Sequence, residues 1–422
     1  MKKYALATVY LTVFLDILSF GIIIPLLPFY AQKFGANATT IGLLMSCNAV
    51  AQFLFNPIWG RFSDKYGRRP VMLLTVLGSA IAYGMFGFAN SIFMLFVSRT
   101  LAGIAGATIG VAQSYISDLT TKENRSKVLG QLGAAFALGF VFGPALSGFL
   151  ANEKFYLSTV KYGIDLRFFA PYSYSIPGYL SGSLSLINFV MVYFFLQESN
   201  KTVKEAKENN KPVQRKTFDW QGFTQVMKDN DMLMLISIQF ISMVSLSNLF
   251  STFALFLQKR FDFGIGESSL MFAYFGLCSA LIQGALVGKL VKRFSEVKLL
   301  VFSTLFLTVG MFIISYMPNI YLILVASTLI FFGNGIINPC LTSLISQKAK
   351  EEQTGVTLGV SQSIGSLARI FGPLWGGFIF QFAGYHYPYL TGGIFALVSF
   401  IMSIRFFEHY EKSENIQVTT SV

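Results

Sequence analysis

The chain has 422 residues, of which 54% are hydrophobic and 12% charged, with a formal net charge of +12. Soluble domains run near a quarter charged, so a chain this apolar is too poor in polar surface for water and suited to a lipid bilayer. The Lys and Arg residues cluster in alternate loops and form no separate basic stripe, which argues against a nucleic-acid partner.

In chain order, apolar runs predict twelve spans, at about 5–30, 40–60, 71–89, 92–117, 127–151, 176–196, 231–258, 267–291, 298–316, 319–345, 354–381 and 386–408. Lipid offers no partner to an open backbone, so each run is read as a helix, and the runs are too long and too uniformly apolar for barrel strands. The start, Met1-Lys2-Lys3 and then an apolar stretch, resembles a signal sequence. That stretch continues to about Tyr30 without a small-residue cleavage site, so an uncleaved first span is expected.

An even number of spans puts both termini on one side. Of the 32 Lys and Arg residues, 24 fall in the loops and tails of that side, 6 in the loops of the other, and Arg99 and Arg369 lie inside spans. The positive-inside rule then makes the termini cytoplasmic, in a multi-pass protein of the inner membrane. The longest polar link on that side, 199–230, reads as a linker between a six-helix bundle at 1–198 and another at 231–422. Its segment 218–223 is partly amphipathic and suited to the membrane surface. On the other side, 152–178 is a long loop rich in Tyr, Phe and Pro, with aromatic rings expected at headgroup level.

An internal repeat supports the division. Phe142-Gly143-Pro144-Ala145-Leu146-Ser147-Gly148 matches Phe371-Gly372-Pro373-Leu374-Trp375-Gly376-Gly377 at a displacement of 229, which also relates Gly106 to Gly335. Gly60-Arg61-Phe62 matches Gly288-Lys289-Leu290 at 228. The fold class expected is therefore all-α and integral to the membrane, with twelve helices in two pseudo-symmetric six-helix bundles.

Between spans 2 and 3 lies Gly60-Arg61-Phe62-Ser63-Asp64-Lys65-Tyr66-Gly67-Arg68-Arg69-Pro70, a knot of glycine and charge too short to be a domain. Asp64 among Arg61, Lys65, Arg68 and Arg69, with Asp118 at the end of span 4, can form an ion-pair latch. The alternative is that the basic residues only set orientation.

Asp16 lies in the middle of span 1. A charged side chain there costs about 2.5–3.5 kcal/mol on insertion scales, so it must face protein or water. A carboxyl group in such a place can take up and release a proton, as a coupling site requires; a structural hydrogen bond is the competing reading. Arg99 cannot shed its proton and has Asp16 as the most central acidic partner, unless it snorkels to the surface. Arg369 is deeper and has no obvious acidic partner in its half, so an anionic substrate group or a helix C-terminus would satisfy it. Gln52, Gln113 and Gln283 are candidates for a cavity wall or for interhelical bonds. Gly139, Gly143, Pro144 and Gly148 mark span 5 as a compact, deformable seam that serves packing and gating equally well.

Cys47, Cys278 and Cys340 lie in apolar runs without a C-x-x-C pair, and His386 and His409 sit near the ends of the last span, so no metal site is expected. No P-loop occurs, and no catalytic residue or cofactor is expected.

Four stretches together resemble the major facilitator superfamily, and within it the drug:proton antiporters of tetracycline-efflux type. They are Asp16 to Pro28, Gln52 to Leu73, Arg99 to Asp118 and Gly139 to Gly148. The second half is similar more loosely, through Gln283 and the stretch from Arg369 to Gly377. The resemblance implies gating for Gly60, Asp64, Gly67, Arg68 and Arg69, proton coupling for Arg99, and antiport for Gly139, Gly143, Pro144 and Gly148. Three positions depart from the pattern. Ser147 replaces a glycine of the span 5 motif, and Lys292 stands where a second-half Asp64 would fall, making the latch one-sided. Span 9 (Leu299 to Tyr316) lacks the acidic residue that tetracycline carriers have there, which leaves Asp16 as the main intramembrane carboxylate.

The activity this implies is proton-coupled export of a small amphipathic compound by alternating access, in a monomer whose partners are the substrate, protons and the bilayer. The rival within the class is uptake or exchange of a sugar or organic anion, with Arg369 as the anion contact. The rival outside it is a non-transporting membrane receptor or scaffold.

Overall fold

The computed structural model describes residues 2–120, 122–158, 165–200, 229–349 and 354–420. The expected linker core and its segment 218–223 lie outside the described residues. Twelve long helical spans follow one another in the predicted order: Lys2–Lys33, Ala38–Tyr66, Arg68–Gly87, Ile92–Leu119, Lys122–Leu150, Ile176–Phe195, Asn230–Phe261, Ile265–Arg293, Glu296–Ile314, Ile320–Lys348, Thr354–Phe382 and Tyr387–Thr420. No strand occurs among the described residues. Eleven of these helices are long and apolar enough to cross a membrane, and span 11 falls short because polar residues interrupt it. The protein is a multi-pass membrane protein with an all-α fold.

Local chemistry sets the ends. Asn37, Ser91, Ser295 and Asn319 each cap the first turn of spans 2, 4, 9 and 10, accepting a backbone N–H three residues on at 2.9–3.3 Å. Gly67 has φ +108°, a conformation open to glycine, and turns the chain from span 2 into span 3 within one residue.

Two spans are irregular where the sequence predicts continuous helix. Span 4 breaks at Gly106-Ala107 into Ile92–Ala105 and Thr108–Leu119. A break strands carbonyls, and the indole Nε1 of Trp59 on span 2 donates to Ile104 O at 2.5 Å. Span 8 contains a π-helical turn, Ile282–Leu286, whose wider ring carries Gln283.

The chain forms two compact units, Met1–Lys216 with Ala254–Leu277, and Thr217–Phe253 with Cys278–Val422. The end of span 7 and the first part of span 8 thus pack with the first unit. Within that unit span 1 packs on span 5, span 2 on span 4 and span 3 on span 6; within the second, span 9 packs on spans 10 and 12. Close approaches repeat at the repeat displacement. A Cβ on Gly143 would meet Leu18 O at 2.6 Å and Gly21 Cα at 2.9 Å, while one on Gly372 would meet Ser247 Cβ at 2.5 Å and Val244 O at 2.9 Å. Large exposed side chains such as Phe93, Phe194 and Tyr321 are the lipid-facing bulk that such a fold requires.

Candidate functional site

The loop between spans 2 and 3 is a turn with a purpose beyond turning. Span 2 continues to Tyr66 and span 3 starts at Arg68, so the charged residues sit on helix ends one residue apart. Arg68 is the centre. Its Nη1 reaches Asp64 Oδ1 at 2.6 Å and Ser63 Oγ at 2.6 Å, and its Nε reaches Asp118 Oδ2 at 3.1 Å. The Arg68 side chain is 11% exposed and Asp118 25%, whereas Asp64 is 67% exposed. The bond to Asp118 on span 4 is therefore the stronger tie, since water screens the one to Asp64. Arg69 donates to Tyr193 O on span 6 at 2.6 Å.

A residue the sequence reading did not single out completes this cluster. Glu198, just beyond span 6, accepts the backbone N–H of Arg68 at 2.8 Å and of Arg69 at 3.1 Å. It also accepts from the N–H groups of Ser199 and Asn200, and Ser199 Oγ donates to Asp118 Oδ2 at 3.0 Å. A carboxylate at a helix N-terminus satisfies orphan donors and meets the positive end of the dipole. The carboxylate fills the space beside Gly67, so a side chain there would collide with it. Four spans are tied by one arginine and one glutamate. The only sequence cue to Glu198 was its place as the first acid after span 6, some 130 residues from its partners. Replacing Glu198 by Ala strips this cap and is expected to destabilise the first unit by about 2 kcal/mol. The check is a thermal melt of the purified protein, in which Glu198→Gln, keeping one acceptor oxygen, should lose less.

In the membrane interior the expected pairing of Asp16 with Arg99 is absent: no ion pair within 4 Å joins them among the described residues. Arg99 is 4% exposed, and its Nε and Nη1 have no acceptor. Its guanidinium instead lies 5.9 Å from the ring of Phe20, which follows Asp16 by four residues and so shares its face of span 1. The aromatic ring takes the place beside the arginine that a carboxylate would have needed. Asp16 is half-buried and makes no hydrogen bond with a described residue. Tyr83, on span 3, lies within electrostatic reach of both.

The glutamines separate into two kinds. Gln52 is half-buried, and a Cβ on Gly106 would meet its Nε2 at 2.7 Å, so it packs at the break in span 4. Gln113 and Gln283 are exposed. Gln283 sits beside Gly335, the repeat partner of Gly106. Arg369 is half-buried, and its Nη2 donates to Ser366 Oγ at 2.9 Å.

Span 5 has two glycine faces. Gly139 and Gly143 press on Phe14 O, Leu18 O and Gly21 of span 1, and a Cβ on Gly21 would meet Pro144 Cδ at 3.1 Å. A Cβ on Gly148 would meet Ser269 Cβ at 2.7 Å and Gly266 O at 3.0 Å, and one on Gly276 would meet Phe140 O at 2.5 Å. Gly266 and Gly276 of span 8 carry no such signal in the sequence, because they stand ten residues apart and lack the four-residue spacing of Gly139 and Gly143. Ser147, standing for a motif glycine, is fully buried with no partner for its hydroxyl among the described residues.

The second unit has no acid at Lys292, which is exposed. Its helix ends are tied in another way. Ser343 Oγ donates to Glu296 Oε1 at 2.7 Å and Gln347 Nε2 to Glu296 Oε2 at 3.0 Å. Glu296 and Gln347 stand 228 and 229 residues after Arg68 and Asp118. The same two helix ends are thus joined, with a carboxylate in the arginine's place. Lys348 pairs with Asp231, linking spans 10 and 7.

Comparison with known proteins agrees with this architecture. The Major Facilitator Superfamily profile matches residues 9–373 and, separately, 235–420. Multidrug resistance protein 1 of Bacillus subtilis is 27% identical over 406 residues, 96% of each chain. Tetracycline resistance protein, class D, of Salmonella ordonez is 30% identical over 390 residues, 90% of each. Among solved structures, a bacterial homologue of the human lysosomal transporter Spinster, inward-facing and occupied, superposes with a TM-score of 0.76 at 14% identity, over 96% of this chain and 97% of that one. The human organic anion transporter MFSD10 gives a TM-score of 0.68 at 24% identity, over 95% and 99%. With twelve spans, a repeated glycine seam and a profile match along nearly its whole length, the chain belongs to the Major Facilitator Superfamily.

Proposed function

We propose that this protein is a secondary transporter of the inner membrane that exports a small amphipathic compound by alternating access, driven by proton influx, with both termini in the cytoplasm. The observation that carries the reading is Asp16, the one acidic residue that lies away from the ends of the spans, half-buried and unpaired among the described residues. Likeness to multidrug and tetracycline resistance proteins over nine-tenths or more of the chain supports export as its direction.

The cycle follows from charge. Taking up a proton removes the negative charge of Asp16 and changes the cost of enclosing it, which biases one access state over the other. The cluster of Arg68, Asp64, Asp118 and Glu198 holds its four helix ends as one body, so that the bias is expressed as a rigid movement. The glycine seam of span 5 supplies close contact that can slide. A monomer suffices for such a cycle.

The test is transport into everted vesicles of a panel of amphipathic dyes, cationic, neutral and anionic, with the pH gradient imposed and then collapsed. Accumulation of at least one dye that follows the gradient is expected. Movement of the dyes at one rate with and without it would remove proton coupling, and no movement of any dye in any condition would remove the export reading.

A further inference from the structure

The membrane interior of this protein is positively charged in every protonation state. Its spans hold one acid, Asp16, and two arginines, Arg99 and Arg369, away from their ends. Arginine does not give up its proton in proteins, so the balance is one positive charge with Asp16 ionised and two with it neutral. A multidrug carrier for lipophilic cations needs the opposite sign.

The two arginines differ in what they can still do. Arg99 is sealed, 4% exposed, with the Phe20 ring beside it. Arg369 is half-buried and has no carboxylate within 4 Å among the described residues; its guanidinium donates to the neutral Ser366 hydroxyl. Gln362, Ser366 and Arg369 recur at the i, i+4, i+7 spacing of one helix face, and Gln362 is exposed. This polar face is on span 11, the one long helix among the described residues that falls short of span hydropathy. A polar stripe ending in an open guanidinium is wrong for lipid and right for a hydrated passage. Nearby Gln239 is already bonded to Ser361 Oγ, at 2.5 Å, and adds no negative charge.

Resting on the export reading, we propose that the transported compound carries a delocalised anionic group, a carboxylate, enolate or sulfonate, and that Arg369 binds it. The planar fork of guanidinium matches two oxygens of such a group with two parallel N–H bonds, and the bound anion cancels the excess positive charge. Export of an anion is also favoured by an inside-negative membrane potential.

The experiment uses two xanthene dyes of similar size and opposite charge, fluorescein and rhodamine 123, with the full-length protein in nanodiscs and fluorescence polarisation as the readout. The wild type is expected to bind fluorescein at least tenfold more tightly than rhodamine 123. Arg369→Gln is expected to lose fluorescein binding by about tenfold or more, the loss for removing one charged hydrogen-bond partner, with Arg369→Lys losing less and rhodamine 123 unchanged. Preference of the wild type for rhodamine 123, binding of neither dye, or a loss in Arg369→Gln shared equally by both dyes would each overturn the proposal. Because the wild-type preference needs no variant, a misfolded Arg369→Gln does not protect it. Gradient-driven transport of rhodamine 123 by the same protein reconstituted in proteoliposomes would keep the export reading while the anion site fell.

Discussion

Asp16→Asn is expected to lower gradient-driven accumulation by about tenfold or more while leaving downhill movement of the same compound measurable, in line with coupling energies of about 1–3 kcal/mol between linked sites. Asparagine has nearly the shape of aspartate and can still make hydrogen bonds, but it does not gain or lose a proton at any working pH. If Asp16 were only a structural hydrogen-bonding group, the amide would serve almost as well. The structure sharpens that contrast, because the carboxylate makes no hydrogen bond with a described residue that the amide would need to replace. Two rates are therefore required, one with the pH gradient and one against a concentration gradient alone. A variant with both rates unchanged would end the role of Asp16 in coupling, and one with both abolished would assign it to the binding or opening step.

The second large effect is expected at Gly143. Its would-be Cβ meets Leu18 O at 2.6 Å and Gly21 Cα at 2.9 Å, and both are backbone atoms that cannot swing aside. Gly143→Ala must push spans 1 and 5 apart and is expected to destabilise the first unit by about 1–3 kcal/mol, the usual range for overpacking. Gly143→Val, with two more carbons at the same place, is expected to prevent assembly, read as loss of the folded species in detergent chromatography. Gly84 is the internal control, since a Cβ there meets nothing within 4 Å. Gly84→Ala should be neutral or stabilise by up to about 1 kcal/mol through helix propensity. Equal melting temperatures for the Gly143→Ala and Gly84→Ala proteins would show that the seam is not the close contact described here.

Much of this protein is legible without coordinates because the bilayer forces it to be. A span must close its backbone hydrogen bonds internally, so apolar length alone reveals the helices, and the predicted boundaries lie within about three residues of those found, apart from span 2, which runs on to Tyr66, span 5, which starts at Lys122, and the last span, which runs on to Thr420. Asp64, Arg68 and Arg69 were readable as a cluster because they lie within one turn of each other around Gly67. Glu198 was not, because nothing local marks which helix N-terminus a distant carboxylate will cap. The spacing of Gly139 and Gly143 announced a close helix contact but not the partner, and the answering glycines of span 8 became visible only once span 5 was seen with two packed faces.

The sequence by itself determined the membrane class, the order of spans, the internal repeat and the scarcity of intramembrane charge. These follow from transfer energies and periodicity, which act residue by residue. Only the tertiary structure decided that Asp16 and Arg99 stand apart, that Phe20 takes the arginine's side, and that Glu296 and Gln347 occupy the places of Arg68 and Asp118, a carboxylate for the arginine and a neutral amide for the aspartate. Such pairings depend on distances of a few ångströms between helices remote in sequence, and a pattern of residue types along one strand of chain carries no measure of them.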